Sequence, residues 1–168
     1  MNWGKEKKEP GVQVPMEPKA PSTPAPVAAN EPITPLEPQL LPKVVVADDE
    51  PHIRMLMKAV LSRAGFEIAA EAKNGKEAIE AVREHRPDVL LLDINMPQMS
   101  GEEALPAILE ICPEIAVIML TSVTDRMTVE NCFDIGAANY LRKDTPVQEI
   151  SHQVLKTWRE WTEGEVQG

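Results

Sequence analysis

Cysteine, aromatic residues and long apolar runs are all scarce in this sequence of 168 residues. Its two cysteines, Cys112 and Cys132, stand far apart, which favours neither a disulfide framework nor a zinc site. The longest apolar run, residues 115–120, is much shorter than the roughly 18 residues of a membrane span. The first residues are charged and lack the apolar stretch of a signal peptide. These absences predict a cytoplasmic protein without membrane insertion.

Positive charge is also in deficit, because 17 Lys and Arg residues face 27 Asp and Glu residues and the formal net charge is −10. Proteins that coat nucleic acid need clustered Lys and Arg to neutralise phosphates. The sequence therefore predicts no direct binding to nucleic acid.

Proline is abundant only in residues 1–42, which hold ten of the sixteen prolines. This stretch has one aromatic residue, Trp3, and little apolar periodicity, so it is predicted to be a disordered tail. Prolines at every third position, as from Pro15 to Pro24, are typical of a polyproline II helix. The tail is interpreted as a spacer, and a proline-rich ligand for an aromatic groove is the open alternative.

From residue 43 onward, short apolar runs alternate with segments of helical periodicity. This alternation predicts an α/β fold, a doubly wound parallel sheet of five strands with helices on both faces. The predicted strands are 44–47, 66–72, 89–92, 116–120 and 138–141. Asn74 is the predicted cap of the second helix, and the later helices are predicted at 102–111, 127–135 and 146–161. Pro106 is tolerable in its helix only near the first turns.

Polar side chains follow four of the predicted strands, namely Asp48 and Asp49, Asp93, Thr121 and Lys143. The carboxyl ends of parallel strands share one edge of a sheet, so these side chains are expected to converge. Each one alone would be interpreted as a helix cap or a solvated charge. Together, at corresponding strand ends, they indicate a shared site.

The residue types at this edge favour phosphate chemistry. Crowded carboxylates repel one another unless a cation lies among them, and oxygen ligands favour Mg²⁺. Magnesium typically takes one or two carboxylates beside a phosphate oxygen, and a lysine suits a phosphoryl oxygen. The predicted reaction is magnesium-assisted phosphoryl transfer to a carboxylate, with Asp93 as the central candidate.

Several motifs, in this order, resemble the receiver domain of bacterial two-component response regulators over residues 43–161. They are the pair Asp48-Asp49, the run Leu-Asp-Ile-Asn-Met-Pro at 92–97 with Gly101 after it, Thr121, and Tyr140 with Lys143. The resemblance implies a flavodoxin-like receiver fold, with a short tail at 162–168. A stand-alone, chemotaxis-regulator-like receiver is expected, since those last residues leave no room for an output domain.

The resemblance also implies a role for each matching residue. Asp93 accepts the phosphoryl group, Lys143 contacts it, and Thr121 moves to bond it while Tyr140 turns inward as an aromatic switch. The implied Mg²⁺ ligands are Asp49, Asp93, the Asn95 backbone carbonyl and, through water, Asp48.

The implied function is a phosphorylation-dependent signalling switch in a phosphorelay. A histidine kinase, a phosphotransfer protein or a small donor such as acetyl phosphate supplies the group, and an unidentified downstream protein binds near residues 127–161. No enzyme activity is expected beyond Mg²⁺-dependent self-phosphorylation and self-dephosphorylation of the aspartate.

Two positions depart from what the resemblance implies. Asp144 stands where the family often has proline, which leaves the isomer of the Lys143–Asp144 peptide open. Val123 offers no group to orient an attacking water, which predicts a longer-lived phosphoryl state.

The residues at this edge also bear on two other functions. A haloacid-dehalogenase-like phosphatase would need a second aspartate where Asn95 stands, and an amide cannot supply that proton. A constitutive interaction module with a non-signalling receiver site stays open as the alternative.

Overall fold

The computed structural model describes residues 41–122 and 126–164. The first forty residues of the predicted tail, Val123 and the last four residues lie outside this range. Within it, five strands and five helices alternate strictly, as predicted. They are β1 (Lys43–Ala47), α1 (Pro51–Arg63), β2 (Glu67–Ala72), α2 (Gly75–His85), β3 (Val89–Asp93), α3 (Gly101–Ile111), β4 (Ala116–Thr121), α4 (Arg126–Ile135), β5 (Asn139–Arg142) and α5 (Val147–Thr162).

The strands form one sheet in the order β2-β1-β3-β4-β5, and every neighbouring pair is parallel. The chain leaves β1 toward one edge and β3 toward the other, so the winding reverses between these two strands. In open parallel sheets, ligands bind beyond the carboxyl ends of the strands at this reversal. The arrangement confirms the predicted fold class.

Both faces of the sheet are covered, which explains why the strands are apolar throughout. In β1, Val44 and Val46 face a core made with α1 and α5, whereas Val45 and Ala47 face a core made with α2, α3 and α4. Successive strand side chains point to opposite faces, so one strand contributes to two cores.

The second and third helices begin at side-chain caps. The Asn74 side chain accepts a hydrogen bond from Glu77 N at 2.9 Å, as predicted. The Ser100 hydroxyl accepts one from Glu103 N at 3.1 Å, which sets the start of α3 at Gly101. Helix α3 therefore begins one residue before its predicted start.

Pro106 lies inside α3 as its sixth residue, in the second turn. A proline there lacks the N–H that would bond the Glu102 carbonyl. Only that one backbone bond is lost, near the start of the helix, and α3 continues to Ile111. In the described residues, no helix has the length and hydropathy needed to cross a membrane.

Candidate functional site

Three carboxylates meet at the reversal of the sheet, as predicted. One oxygen from each of Asp48, Asp49 and Asp93 lies within 4.8 Å of the other two. Asp48 and Asp93 are buried at 0% and 2% exposure, whereas Asp49 faces solvent. Strands β1 and β3 are hydrogen-bonded neighbours, so the residues that follow them are brought side by side.

Backbone and side-chain bonds fix the Asp48 end of the site. Asp48 N donates to Ala72 O at 3.0 Å, and Asp48 Oδ1 accepts from Glu50 N at 2.8 Å. The Arg54 guanidinium donates to the Asp48 carbonyl at 2.8 Å and to Glu71 at 2.9 Å. This loop is therefore tied to the neighbouring strand and to the following helix.

Close backbone packing fixes the Asp93 end. Asp93 Oδ1 accepts from Asn95 N at 3.2 Å, and Gly101 N donates to Ile94 O at 2.9 Å. A Cβ atom on Gly101 would lie 2.1 Å from the Asp93 carbonyl oxygen. Only glycine fits at this position, which gives a steric reason for Gly101 in the motif.

Lys143 places its ammonium among the acidic groups. Lys143 Nζ lies 2.8 Å from Asp48 Oδ2, 3.1 Å from Asp93 Oδ2 and 3.0 Å from Glu50 Oε1. Its backbone N–H donates to Thr121 O at 2.8 Å, which aligns the end of β5 with the end of β4. The lysine side chain is 9% exposed, so it belongs to the site and is not a solvated charge.

The hydrogen-bond geometry at Lys143 is unequal. The contact with Glu50 is a hydrogen bond, whereas the Asp48 and Asp93 oxygens are at ion-pair distance without hydrogen-bond alignment. Apart from the ion pairs with Lys143, Asp48 Oδ2 and Asp93 Oδ2 are buried without a partner. Buried carboxylate oxygens in a cluster of three acids are the donor set that fits a hard divalent cation such as Mg²⁺.

The electrostatics agree with this geometry. Burial and the adjacent Asp48 charge raise the pKa of Asp93 to about 7, against the opposing effects of Lys143 and the Asn95 N–H. Burial by itself would lower the pKa of Lys143, but contacts with Asp48 and Glu50 raise it above its usual value. The hydrogen bond from Lys143 lowers the pKa of Glu50.

Thr121 and Tyr140 lie on the other side of the same edge. Thr121 is buried at the end of β4, and Tyr140 in β5 is 40% exposed. The Tyr140 ring packs edge-on against Phe133, with centroids 6.1 Å apart. These three residues, together with residues of α4, line a cavity of about 580 Å³.

The peptide bond between Lys143 and Asp144 is trans, like every peptide bond in the described residues. The Asp144 carboxylate accepts a hydrogen bond from Arg142 Nε at 2.8 Å. The isomer that the sequence left open is therefore settled.

Sequence reasoning missed Glu50 and Arg54. Glu50 directly follows the acidic pair, but its partner Lys143 is 93 positions away. Arg54 bonds a backbone carbonyl, for which no side-chain pattern exists. A third acidic residue at 50 was the one available signal for the first of them.

Comparison with known proteins decides the family. Residues 44–155 match the family model of the response regulator receiver domain. The chain belongs to this family. The receiver is 33% identical to the chemotaxis protein CheY of Bacillus subtilis over 115 aligned residues. The alignment covers 68% of this chain and 96% of that protein.

Solved receiver structures have the same fold. The signal receiver domain of the putative response regulator NarL from Mycobacterium tuberculosis is 32% identical, with a TM-score of 0.66 over 70% of this chain and 96% of that one. CheY in a complex with CheX, beryllium trifluoride and Mg²⁺ from Borrelia burgdorferi is 26% identical, with a TM-score of 0.66 over 69% of this chain and 88% of that one. The receiver described here is thus a response-regulator domain of two-component signalling.

Proposed function

We propose that this receiver accepts a phosphoryl group on Asp93, with Mg²⁺ bound beside it, and that the modified site changes what the protein binds. The observation that supports this is the acidic cluster itself. Asp93 is buried among Asp48, Asp49 and Lys143, and one ammonium group faces three clustered carboxylates. A stability role alone would not gather charges in this way, because burying them costs free energy.

The proposed transfer uses Asp93 as the nucleophile. An Asp93 carboxylate oxygen forms a bond to phosphorus while the P–N bond of a phosphohistidine breaks, and the imidazole keeps the electron pair and takes a proton from solvent. With acetyl phosphate, the P–O bond breaks and acetate leaves. Because only the ionised carboxylate can attack, a pKa near 7 in the absence of a cation would limit the reaction.

The residues that would hold Mg²⁺ are Asp49, Asp93 and the Asn95 backbone carbonyl, with Asp48 reaching it through water. When bound, the ion supplies positive charge that favours the ionised form of Asp93 and offsets charge on the transferring group. Lys143 supplies a second positive charge and an N–H donor for a phosphoryl oxygen. The Borrelia burgdorferi CheY, 26% identical to this chain, forms a complex with CheX, beryllium trifluoride and Mg²⁺, which supports the proposal that this receiver binds Mg²⁺.

Thr121 and Tyr140 are the proposed readout. A phosphoryl group adds charge and acceptor oxygens at Asp93, and the Thr121 hydroxyl would move toward one of them. The cavity beside Phe133 offers room for the half-exposed Tyr140 ring to turn inward. The bistable element is therefore the end of β4 together with the Tyr140 side chain.

The proposed partners are a histidine kinase or phosphotransfer protein upstream and an unidentified protein downstream. The surface proposed for the downstream protein is residues 127–161, where five large apolar side chains are exposed, namely Met127, Phe133, Ile135, Tyr140 and Val147. Within this proposal the receiver spans 43–161, residues 1–42 act as a spacer, and the protein works in the cytoplasm, where kinases draw on ATP.

The deciding experiment is intact-mass analysis after incubation with acetyl phosphate and Mg²⁺. The wild type should gain the mass of one phosphoryl group, and Asp93→Asn should gain none. No gain in either protein, together with no spectral response to beryllium trifluoride, would leave the constitutive interaction module as the better account.

A further inference from the structure

The Glu50 carboxylate accepts a hydrogen bond from the Lys143 ammonium at 3.0 Å, beside the ion pairs that this ammonium makes with Asp48 and Asp93. We propose that Glu50 is a positioning residue that occupies one N–H donor of Lys143 in the unphosphorylated receiver and so restrains phosphorylation of Asp93. This inference rests on the proposed function of Asp93. It assigns to Glu50 a regulatory role at the same site.

The first support is the number of donors on the lysine. An ammonium group has three N–H donors, enough for one contact with each of Asp48, Glu50 and Asp93. The three distances are similar, 2.8 to 3.1 Å, so the donors are already shared among three carboxylates. A phosphoryl group on Asp93 adds further acceptor oxygens, so Lys143 has to release one of these partners to donate to it.

The second support is the difference in burial between the partners. Asp48 is fully buried, so its carboxylate cannot leave the lysine for water. The Glu50 side chain is 45% exposed, and its carboxylate can be hydrated when the lysine turns. Half-exposed ion pairs are weak, and Glu50 is therefore suited to a contact that is made and released.

The backbone hydrogen bonds of Glu50 do not depend on its side chain. Its N–H donates to Asp48 Oδ1, and its carbonyl accepts from Ile53 N and Arg54 N in the first turn of α1. Substitution of the side chain leaves all three backbone bonds possible. A change at Glu50 should thus act on Lys143 without dismantling the loop.

Two effects of opposite sign follow for Glu50→Gln. A freed Lys143 becomes available to the transferring phosphoryl group, so phosphorylation at saturating Mg²⁺ should be about two- to fivefold faster, the range expected for a half-exposed ion pair. The same lysine then competes for the Asp48 and Asp93 oxygens, so Mg²⁺ binding should weaken by a similar factor. A variant whose fold is damaged would show both slower phosphorylation and weaker Mg²⁺ binding.

The test compares wild type, Glu50→Gln, Glu50→Asp and the control Glu84→Gln. Glu84 is exposed in the last turn of α2, and its substitution makes the same change in net charge. Rates of mass gain with acetyl phosphate give phosphorylation, and calorimetric titration gives the Kd for Mg²⁺. Aspartate keeps the charge but is one methylene shorter and cannot reach the lysine, so it should behave like Gln.

Three results would overturn the inference while the wild type is phosphorylated normally. They are unchanged rates in Glu50→Gln, equal changes in Glu84→Gln, or wild-type behaviour of Glu50→Asp, which would mean that charge alone matters. A wild type that gains no phosphoryl group refutes the proposed function instead, so the two failures are distinguishable. Thermal unfolding of each variant identifies any loss of fold, and Glu50→Asp keeps the test decisive if Glu50→Gln unfolds.

Discussion

The carboxyl edge of the sheet has two halves that are built differently. The acidic half (Asp48, Asp49, Asp93 and Lys143) is mostly buried and is fixed by backbone bonds. The other half, which we propose as the switch and call the switch half (Thr121, Phe133 and Tyr140), borders a cavity, and its two rings are partly exposed. In the proposed function, the groups that react are held in place in advance, whereas the groups that respond have to rearrange at low cost. The rigid packing of this edge is therefore concentrated in the acidic half.

The largest loss of stability should come from a substitution at Gly101, which packs against Asp93 in the acidic half. In Gly101→Ala, the new Cβ would lie 2.1 Å from the Asp93 carbonyl oxygen, so β3 and α3 must move apart. We expect a loss of about 3 kcal/mol in the free energy of unfolding, measured by urea denaturation.

Gly65→Ala is the matched control for Gly101→Ala. Gly65 has a positive φ of 99° but open space around it, so only backbone strain of about 1 kcal/mol is expected. Equal losses in the two variants would show that packing against Asp93 is not what requires Gly101.

A second prediction concerns the charge of Asp93 in the acidic half. The pKa of Asp93 is raised from its ordinary 3.8 to about 7, so the folded protein without divalent cations binds more protons than the unfolded chain between these values. Its stability should therefore fall as the pH rises from about 4 to about 7. Asp93→Asn should lack this fall and be more stable at pH 8 by about 2 kcal/mol, less than the full shift supplies, because water screens part of the site.

Thermal unfolding in EDTA across the pH range measures this difference between Asp93→Asn and wild type. Added Mg²⁺ should reduce the difference in stability between the two proteins, since the ion compensates the negative charge of the wild-type site. Parallel pH profiles for the two proteins would contradict the raised pKa.

The third prediction separates the two halves. Thr121→Ala should keep the gain of a phosphoryl mass, because the acidic half is intact, and should lose about 1 kcal/mol of stability. The response of the Tyr140 ring resonances to beryllium trifluoride should disappear. If those resonances still shift as in wild type, Thr121 does not connect the halves.

The smallest effect is expected in the switch half itself. Phe133→Leu removes the edge-on contact with Tyr140, and since both rings are partly exposed we expect a loss of about 0.5 kcal/mol. Phe66→Leu is the control, because Phe66 is buried and makes a similar edge-on contact with Trp158. Phe66→Leu should lower the free energy of unfolding by more than about 1 kcal/mol. A larger loss in Phe133→Leu than in Phe66→Leu would mean that the switch half is not loosely packed.

The sequence predicted most of the fold because its strands are uniformly apolar and its helices are periodic and capped. The predicted bounds of the strands and helices differ from the observed ones by about a residue. At α3 the reason is the cap at Ser100, which the sequence analysis did not identify. The convergence of Asp48, Asp93 and Lys143 could be predicted because parallel strands share one carboxyl edge. The Glu50–Lys143 bond could not, because side-chain direction decides it and strand order does not. The same holds for the exposure of Tyr140.

The tryptophans of α5 lie at the opposite end of the sheet from Asp93. Trp161 Nε1 donates to Glu114 O, just before β4 begins, and Trp158 contacts Phe66, just before β2 begins. A strand of six residues is about 20 Å long, so both indole rings are remote from the metal and phosphoryl chemistry. The fluorescence of Trp158 and Trp161 should follow unfolding of that end of the sheet and stay unchanged when Mg²⁺ binds. The contribution of these two residues to a Mg²⁺ titration would be flat even for a fully working receiver.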